Sequence, residues 1–172
     1  GTVKLIFQSG EETFEGAKAA IEAGVMENPK VDAAFAMHVA STMAHNVIIY
    51  GEYPMSSVYG FRITFQGKGT HGSYPEQGID PLIAAANLCT SFQELIAREV
   101  SATKEAVLTI GSFHAGTASN VIPDKAVMEG TLRTFKPEVR EHLISRIREM
   151  TEGIAKAYRV RFEIEELSNV PA

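Results

Sequence analysis

Tyr59-Gly-Phe-Arg-Ile-Thr-Phe-Gln66 alternates without a break: Tyr59, Phe61, Ile63 and Phe65 are apolar, and Gly60, Arg62, Thr64 and Gln66 are small or polar. A period of two sends the two sets to opposite faces, so the stretch reads as a strand with one buried side. The downstream residues supply the cover for that side. Asp80-Pro81 reads as a helix start, an N-cap followed by proline at the first helical position. Leu82, Ala85, Ala86, Cys89, Phe92, Leu95 and Ile96 then step by three and four, the spacing of one helix face. Ala106 to Phe113 is rich in β-formers, and Ala126, Met128 and Leu132 alternate with Lys125, Glu129, Thr131 and Arg133. Pro137 opens a second helix with the stripe Val139, Leu143, Ile147, Met150, Ile154 and Tyr158. Val160, Phe162 and Ile164 alternate with Arg161, Glu163 and Glu165. Residues 57–167 therefore spell β-α-β-β-α-β. These elements bury their apolar sides as two layers, a four-stranded antiparallel sheet with two helices on one face: the ferredoxin-like fold.

In such a sheet the second and fourth strands are the edges. The fourth carries Arg161, Glu163 and Glu165, charges that discourage edge pairing, whereas 106–113 carries none. A homodimer is therefore expected through strand 106–113, with helix 81–97 contributing.

Upstream, residues 1–56 read as β-α-β, so the whole chain is of α/β (α+β) type. Val3 to Gln8 and Ala33 to Val39 have the length and apolar content of buried strands. Between them, Phe14, Ala17, Ala20 and Ile21 mark one face of a helix over about 14–23, with Gly24 as its stop and Asn28-Pro29 as a turn. Val47 to Tyr50 is a candidate short strand. Residues 168–172 lie beyond the second domain.

The 172 residues are 45% apolar and 22% charged, enough to build a core and to exclude disordered or low-complexity classes. Acids exceed bases by five (21 − 16), and there is no Lys/Arg block, which argues against nucleic acid as a partner. Apolar runs are far shorter than the roughly 20 residues a membrane helix needs, so no membrane partner is expected. The single Cys89 cannot form an internal disulfide, which fits a reducing cytoplasm. The chain opens at Gly1 directly into a strand-like run, as a sequence entered in its middle would.

Chemistry-bearing residues fall at particular places in this pattern. Glu11-Glu12 leave the first strand and open a helix, where acids are favoured by the helix terminus alone. The carboxyl end of a strand in an α/β sheet is also where ligands sit. Two carboxylates there can divide roles, one on a metal and one as general base. His38 ends the next strand, and Zn²⁺ takes Glu and His ligands. Gly67-Lys-Gly-Thr-His-Gly72 matches G-x-G-x-x-G, but the next helix opens only near Pro81, so no helix N-terminus faces a phosphate. His71 sits in this turn. The loop from His114 to Asp124 is longer than a tight hairpin and carries Asn120. Arg133 lies on the polar face of its strand. Each also has a plain explanation: a surface turn, an Asx turn, a solvated sheet face. Cys89 falls on the helix stripe and is expected in the core.

Taken together, Leu5-Ile-Phe-Gln-Ser-Gly-Glu-Glu12, Met37-His-Val39, Gly67-Lys-Gly-Thr-His-Gly72 with Pro75 and Asp80-Pro81, Gly111-Ser-Phe-His-Ala-Gly116, Asn120-Val-Ile-Pro-Asp124 and Gly130-Thr-Leu-Arg-Thr-Phe135 resemble the zinc aminoacylase/carboxypeptidase superfamily of co-catalytic metallopeptidases. The nearest branch is the amidohydrolases: hippurate hydrolase, indole-acetyl-amino-acid hydrolase and N-acyl-amino-acid deacetylases. The resemblance implies that Glu11 is the general base and that Glu12 and His38 are metal ligands. It implies that His71 reaches the partner subunit's active site to steady the oxyanion, and that Asn120 and Arg133 contact substrate. Residues 57–167 become the lid or dimerisation domain, and 1–56 the end of the first catalytic half. The cofactors implied are two divalent metal ions, zinc first, with manganese or cobalt suiting the same donors. The substrate implied is an N-acyl amino acid or small peptide.

Two departures stand out. Ser9-Gly10 replaces the family's usual Pro-Ala before the Glu pair. The family's Cys-Gly-His-Asp-x-His segment and its last metal histidine have no counterpart here. A catalytic zinc wants three protein ligands and a water, and a two-metal site wants more; this chain offers two. The expectation is a central piece of an amidohydrolase, inactive alone and a poor metal binder. Fold alone would also permit a non-catalytic dimerisation or small-ligand module.

Overall fold

The computed structural model describes residues 1–39, 41, 44–48 and 55–172, and it divides into two units, 1–49 and 50–172. In the second unit β1 (Val58–Gln66) is central, paired antiparallel with β5 (Lys125–Thr134) on one side and β6 (Arg161–Val170) on the other. With β3 (Ala106–Ala115) beyond β5, the order is β3-β5-β1-β6. This is the expected ferredoxin-like sheet, with β3 and β6 as its edges.

The helices α2 (Pro81–Glu99) and α3 (Pro137–Tyr158) pack against one another and against the sheet, α2 over β3 and β5, α3 over β5 and β6. Asp80 caps α2 as expected: its Oδ1 accepts from the N–H groups of Leu82 at 2.8 Å and Ile83 at 3.3 Å. The buried face of α2 is turned from the stripe read in sequence. Ala84 and Leu88 join Ala85, Phe92 and Leu95 inside, while Cys89 is only half-buried. Small residues at 84–86 satisfy two overlapping stripes, and only packing against α3 and the sheet chooses between them. In α3 the core line runs Val139, Leu143, Ile147, Thr151, Ala155. Thr151 is tolerated there because its hydroxyl donates to the Ile147 carbonyl at 2.7 Å. From the sheet, Phe61, Ile63, Phe65, Met128 and Leu132 complete the core, all fully buried.

The opposite face of the sheet is polar. At its centre Arg62 donates to Glu129 on β5 at 2.7 Å and to Glu165 on β6 at 2.5 Å. The two carboxylates, Glu129 foremost, hold its pKa above the usual guanidinium value.

The first unit departs from expectation. Its helix α1 (Gly16–Glu22) forms, and Gly24 follows it at φ +80, the stop that glycine provides. Residues 3–8 and 33–39, however, are not strands and are not buried: Phe7, Phe35, Met37 and Val39 are all at least 90% exposed. A fully apolar strand exists by virtue of neighbours that take its ladder bonds and helices that cover its faces. Among the described residues neither run has them. Residues 47–48 are likewise not strand, and the remainder of that candidate strand, 49–50, lies outside the described residues.

Candidate functional site

The glycine-rich segment after β1 is a built element rather than a simple turn. Thr70–His71 form a short strand, β2, paired antiparallel with β4 (Val121–Ile122). The loop between β3 and β5 is thus long enough to return and pair. His71 lies opposite Val121, and the Gly72 N–H donates to the Asn120 carbonyl at 2.7 Å. The structure therefore brings His71 and Asn120 to one ribbon, beyond the end of the sheet where Gln66 and Lys125 meet. Both residues are exposed.

The glycines owe their places to backbone approach, not to phosphate. A Cβ on Gly67 would stand 2.2 Å from the Ile79 carbonyl oxygen, and one on Gly69 would stand 3.0 Å from that of Ile122. Lys68 and Ile79 exchange backbone hydrogen bonds, both 2.9 Å, on the other side of the loop. The G-x-G-x-x-G match is accounted for by this packing.

The His71 ring is oriented by its neighbours. The Ser73 N–H donates to Nδ1 at 3.1 Å, and the Tyr74 ring lies at 5.9 Å and 53°. A nitrogen that accepts carries no proton in the neutral ring, so the proton is on Nε2. The neutral ring, on an exposed residue, thus keeps an N–H donor at Nε2, the kind of group an oxyanion needs.

Asp124 closes the Asn120-Val-Ile-Pro-Asp124 motif, and sequence reasoning gives it no role. Its Oδ1 accepts from the Gly69 N–H at 2.7 Å, and its carbonyl accepts from the Gly67 N–H at 2.8 Å and Gln66 Nε2 at 3.0 Å. The signal in the sequence is an acid four residues after Asn120, at the end of a loop that faces glycines. Arg133 is elsewhere. It lies near the opposite end of β5, beside Val107 of β3, roughly 25–30 Å along the strand from the ribbon end at about 3.4 Å per residue.

In the first unit, Glu11 and Glu12 occupy a turn over 11–14, closed by the Phe14 N–H donating to the Glu11 carbonyl at 2.9 Å. The departure at Ser9-Gly10 suits this turn, since Gly10 has φ +63, where a side chain is disfavoured. Glu11, Glu12 and His38 are exposed. Among the described residues no three His, Cys, Asp or Glu side chains come together as a metal ion requires. Glu12 and His38 have the donor chemistry, but the described residues do not assemble a metal centre. Nor is any described helix long and apolar enough to cross a membrane.

A ferredoxin-like sheet with two helices on one face, and a short ribbon carrying His71 beyond its end, defines a two-layer α+β domain. The chain belongs to the peptidase dimerisation domain family of the M20 peptidases, which matches residues 56–159. The resemblance read from the motifs holds at this level. The chain is 40% identical to N-acetylcysteine deacetylase of Bacillus subtilis (strain 168), over 100% of this chain and 45% of that protein. It is 40% identical to IAA-amino acid hydrolase ILR1-like 4 of Arabidopsis thaliana, over 87% of this chain and 34% of that one. The solved structure of the Bacillus subtilis YXEP protein, a dinuclear metal binding peptidase from the M20 family, matches with a TM-score of 0.70 at 36% identity, covering 96% of this chain and 40% of that one. The chain thus spans less than half the length of these relatives.

Proposed function

We propose that these residues are the central part of a cytoplasmic amidohydrolase that cleaves the amide bond of N-acyl amino acids or small peptides, with 57–167 as its lid. The observation that carries this reading is the β2–β4 ribbon, on which His71 pairs with Val121, the residue after Asn120, and takes the Ser73 N–H on its Nδ1. His71 donates to the oxyanion, Asn120 and Arg133 bind the substrate, and Glu11 takes the proton of the attacking water. Glu12 and His38 supply two donors to a centre of divalent ions, zinc or alternatively manganese or cobalt. The relatives' names support an amide-cleaving whole, and the partial coverage supports a division of labour between this chain and the rest of it. Purified 172-residue chain with zinc, cobalt or manganese is expected to give no turnover of N-acyl amino acids above a metal-only blank, and the full-length enzyme to turn them over. Turnover by the short chain would overturn the division.

The lid acts as a homodimer through β3, with α2 alongside. β3 is an edge without Lys, Arg, Asp or Glu, and α2 packs over it. A two-fold axis at this edge makes one continuous sheet with all helices on one face. Because the copies run antiparallel, the partner subunit's Arg133 comes to the sheet end that carries His71 and Asn120. Two residue sets far apart in one chain then serve one site.

Edge pairing can be tested at Leu108. The Thr109 carbonyl is turned toward β5, since a Cβ on Gly130 would lie 2.7 Å from its oxygen. The Thr109 N–H, pointing the same way, therefore belongs to the internal ladder, and the outward N–H groups are those of Leu108 and Ile110. Leu108→Pro is expected to yield monomers by light scattering with the circular dichroism of the fold retained. An unchanged dimer would argue for another surface.

A further inference from the structure

We propose that Asp124 is a positioning residue that fixes the tautomer and aim of the His71 imidazole through the Gly67–Gly72 loop. A two-residue ribbon is marginal by itself, and β2 and β4 are each only two residues long. What holds β2 in register is the bond just before it: the Gly69 N–H donates to Asp124 Oδ1 at 2.7 Å. The same residue's carbonyl takes the Gly67 N–H at 2.8 Å and Gln66 Nε2 at 3.0 Å. Asp124 thus grips the loop at two glycines and ties it to the last residue of β1. The fit is close, because a Cβ on Gly69 would stand 3.1 Å from the Asp124 carboxylate.

The grip is transmitted to His71 by short covalent steps. Gly69 is two residues before His71, and Ser73, whose N–H occupies Nδ1, is two after it. The Tyr74 N–H donates to the His71 carbonyl at 2.8 Å, closing a turn around the ring. If the register of β2 loosens, the Ser73 N–H no longer faces Nδ1, and the proton divides between the two ring nitrogens. His71 then presents a donor for only part of the time. Asp124 is itself exposed and lies outside the core, so its work is local. Its bearing on hydrolysis rests on the proposed function, but the tautomer can be read without substrate or metal, so failure of one is distinguishable from failure of the other.

The test is ¹⁵N NMR of the His71 ring in the 172-residue chain at alkaline pH, where imidazole is neutral. The expected spectrum has an unprotonated, pyridine-type Nδ1 and a pyrrole-type Nε2. In Asp124→Ala the two resonances converge and the Gly69 amide loses exchange protection, while the amides of β1 and β5 keep their shifts. Asp124→Asn, which retains an acceptor oxygen for Gly69, restores the separation. An unchanged His71 pattern in Asp124→Ala overturns the proposal, and so does failure of Asn to restore it. Collapse of the β1 and β5 amide pattern also overturns it, because Asp124 would then be supporting the core rather than aiming His71.

Discussion

Glu11→Gln in the full-length enzyme is expected to lower kcat by at least about 10²–10⁴-fold, the usual worth of a positioned acid–base group. KM and metal content should stay near the wild-type values. Gln keeps the shape of Glu but cannot accept a proton. The turn that presents residue 11 uses its backbone carbonyl, bonded to the Phe14 N–H at 2.9 Å, so the substitution leaves the turn in place. In the proposed reaction the carboxylate that takes the proton of the attacking water also hands it to the leaving nitrogen, so one group serves two steps and the loss falls toward the upper end. Substrate contacts assigned to Asn120 and Arg133 are untouched, so the effect falls on kcat rather than KM. Glu12→Gln should instead lose metal. The two roles are swapped if the Glu11 variant is metal-free and the Glu12 variant metal-replete.

Phe61→Ala should cost about 3–5 kcal/mol of stability, the range for removing a buried phenyl ring, and lower the melting midpoint by roughly 10–20 °C. Phe61 is fully buried on the central strand, edge-on to Phe92 of α2 at 6.1 Å and tilted against Tyr59 at 6.0 Å. It therefore joins the sheet layer to the helix layer, and the surrounding backbone has little freedom to collapse onto the space. A loss below about 1 kcal/mol, well under the usual cost of such a truncation, would mean that the layers are held elsewhere. Gly130 on β5 is the matching position. A Cβ there would meet Phe61 Cζ at 2.6 Å and the Thr109 carbonyl oxygen at 2.7 Å. Gly130→Ala alone should destabilise by about 1–3 kcal/mol through overpacking. Adding Phe61→Ala should relieve only the ring's part, because the Thr109 oxygen belongs to backbone.

The 57–167 domain is legible in the sequence because its elements carry their signals locally. The alternation holds in the structure from Phe61 to Gln66, with Gly60 buried as well, and the Asp80-Pro81 cap forms as read. The charge contrast between 106–113 and 161–165 falls on the two strands that are the sheet's edges. The site is legible unevenly. His71 and Asn120 stand out as separate loop residues, while the pairing that joins them depends on a loop folding back over residues far away in sequence. Asp124 has no legible role for the same reason, since its partners are more than fifty positions earlier.

The sequence by itself determined the order of elements in 57–167, the sheet's edges and the family, because periodicity, capping and motif order are properties of contiguous residues. The tertiary structure alone decided which side of α2 is buried, since α2 carries two nearly equivalent apolar stripes and only its neighbours select one. It decided that 3–8 and 33–39 are not strands here, because a strand is defined by the ladder it shares and no described residue offers them one. It also decided that His71 Nδ1 accepts a backbone N–H from Ser73, which leaves Nε2 as the donor of the neutral ring and which no spacing rule announces.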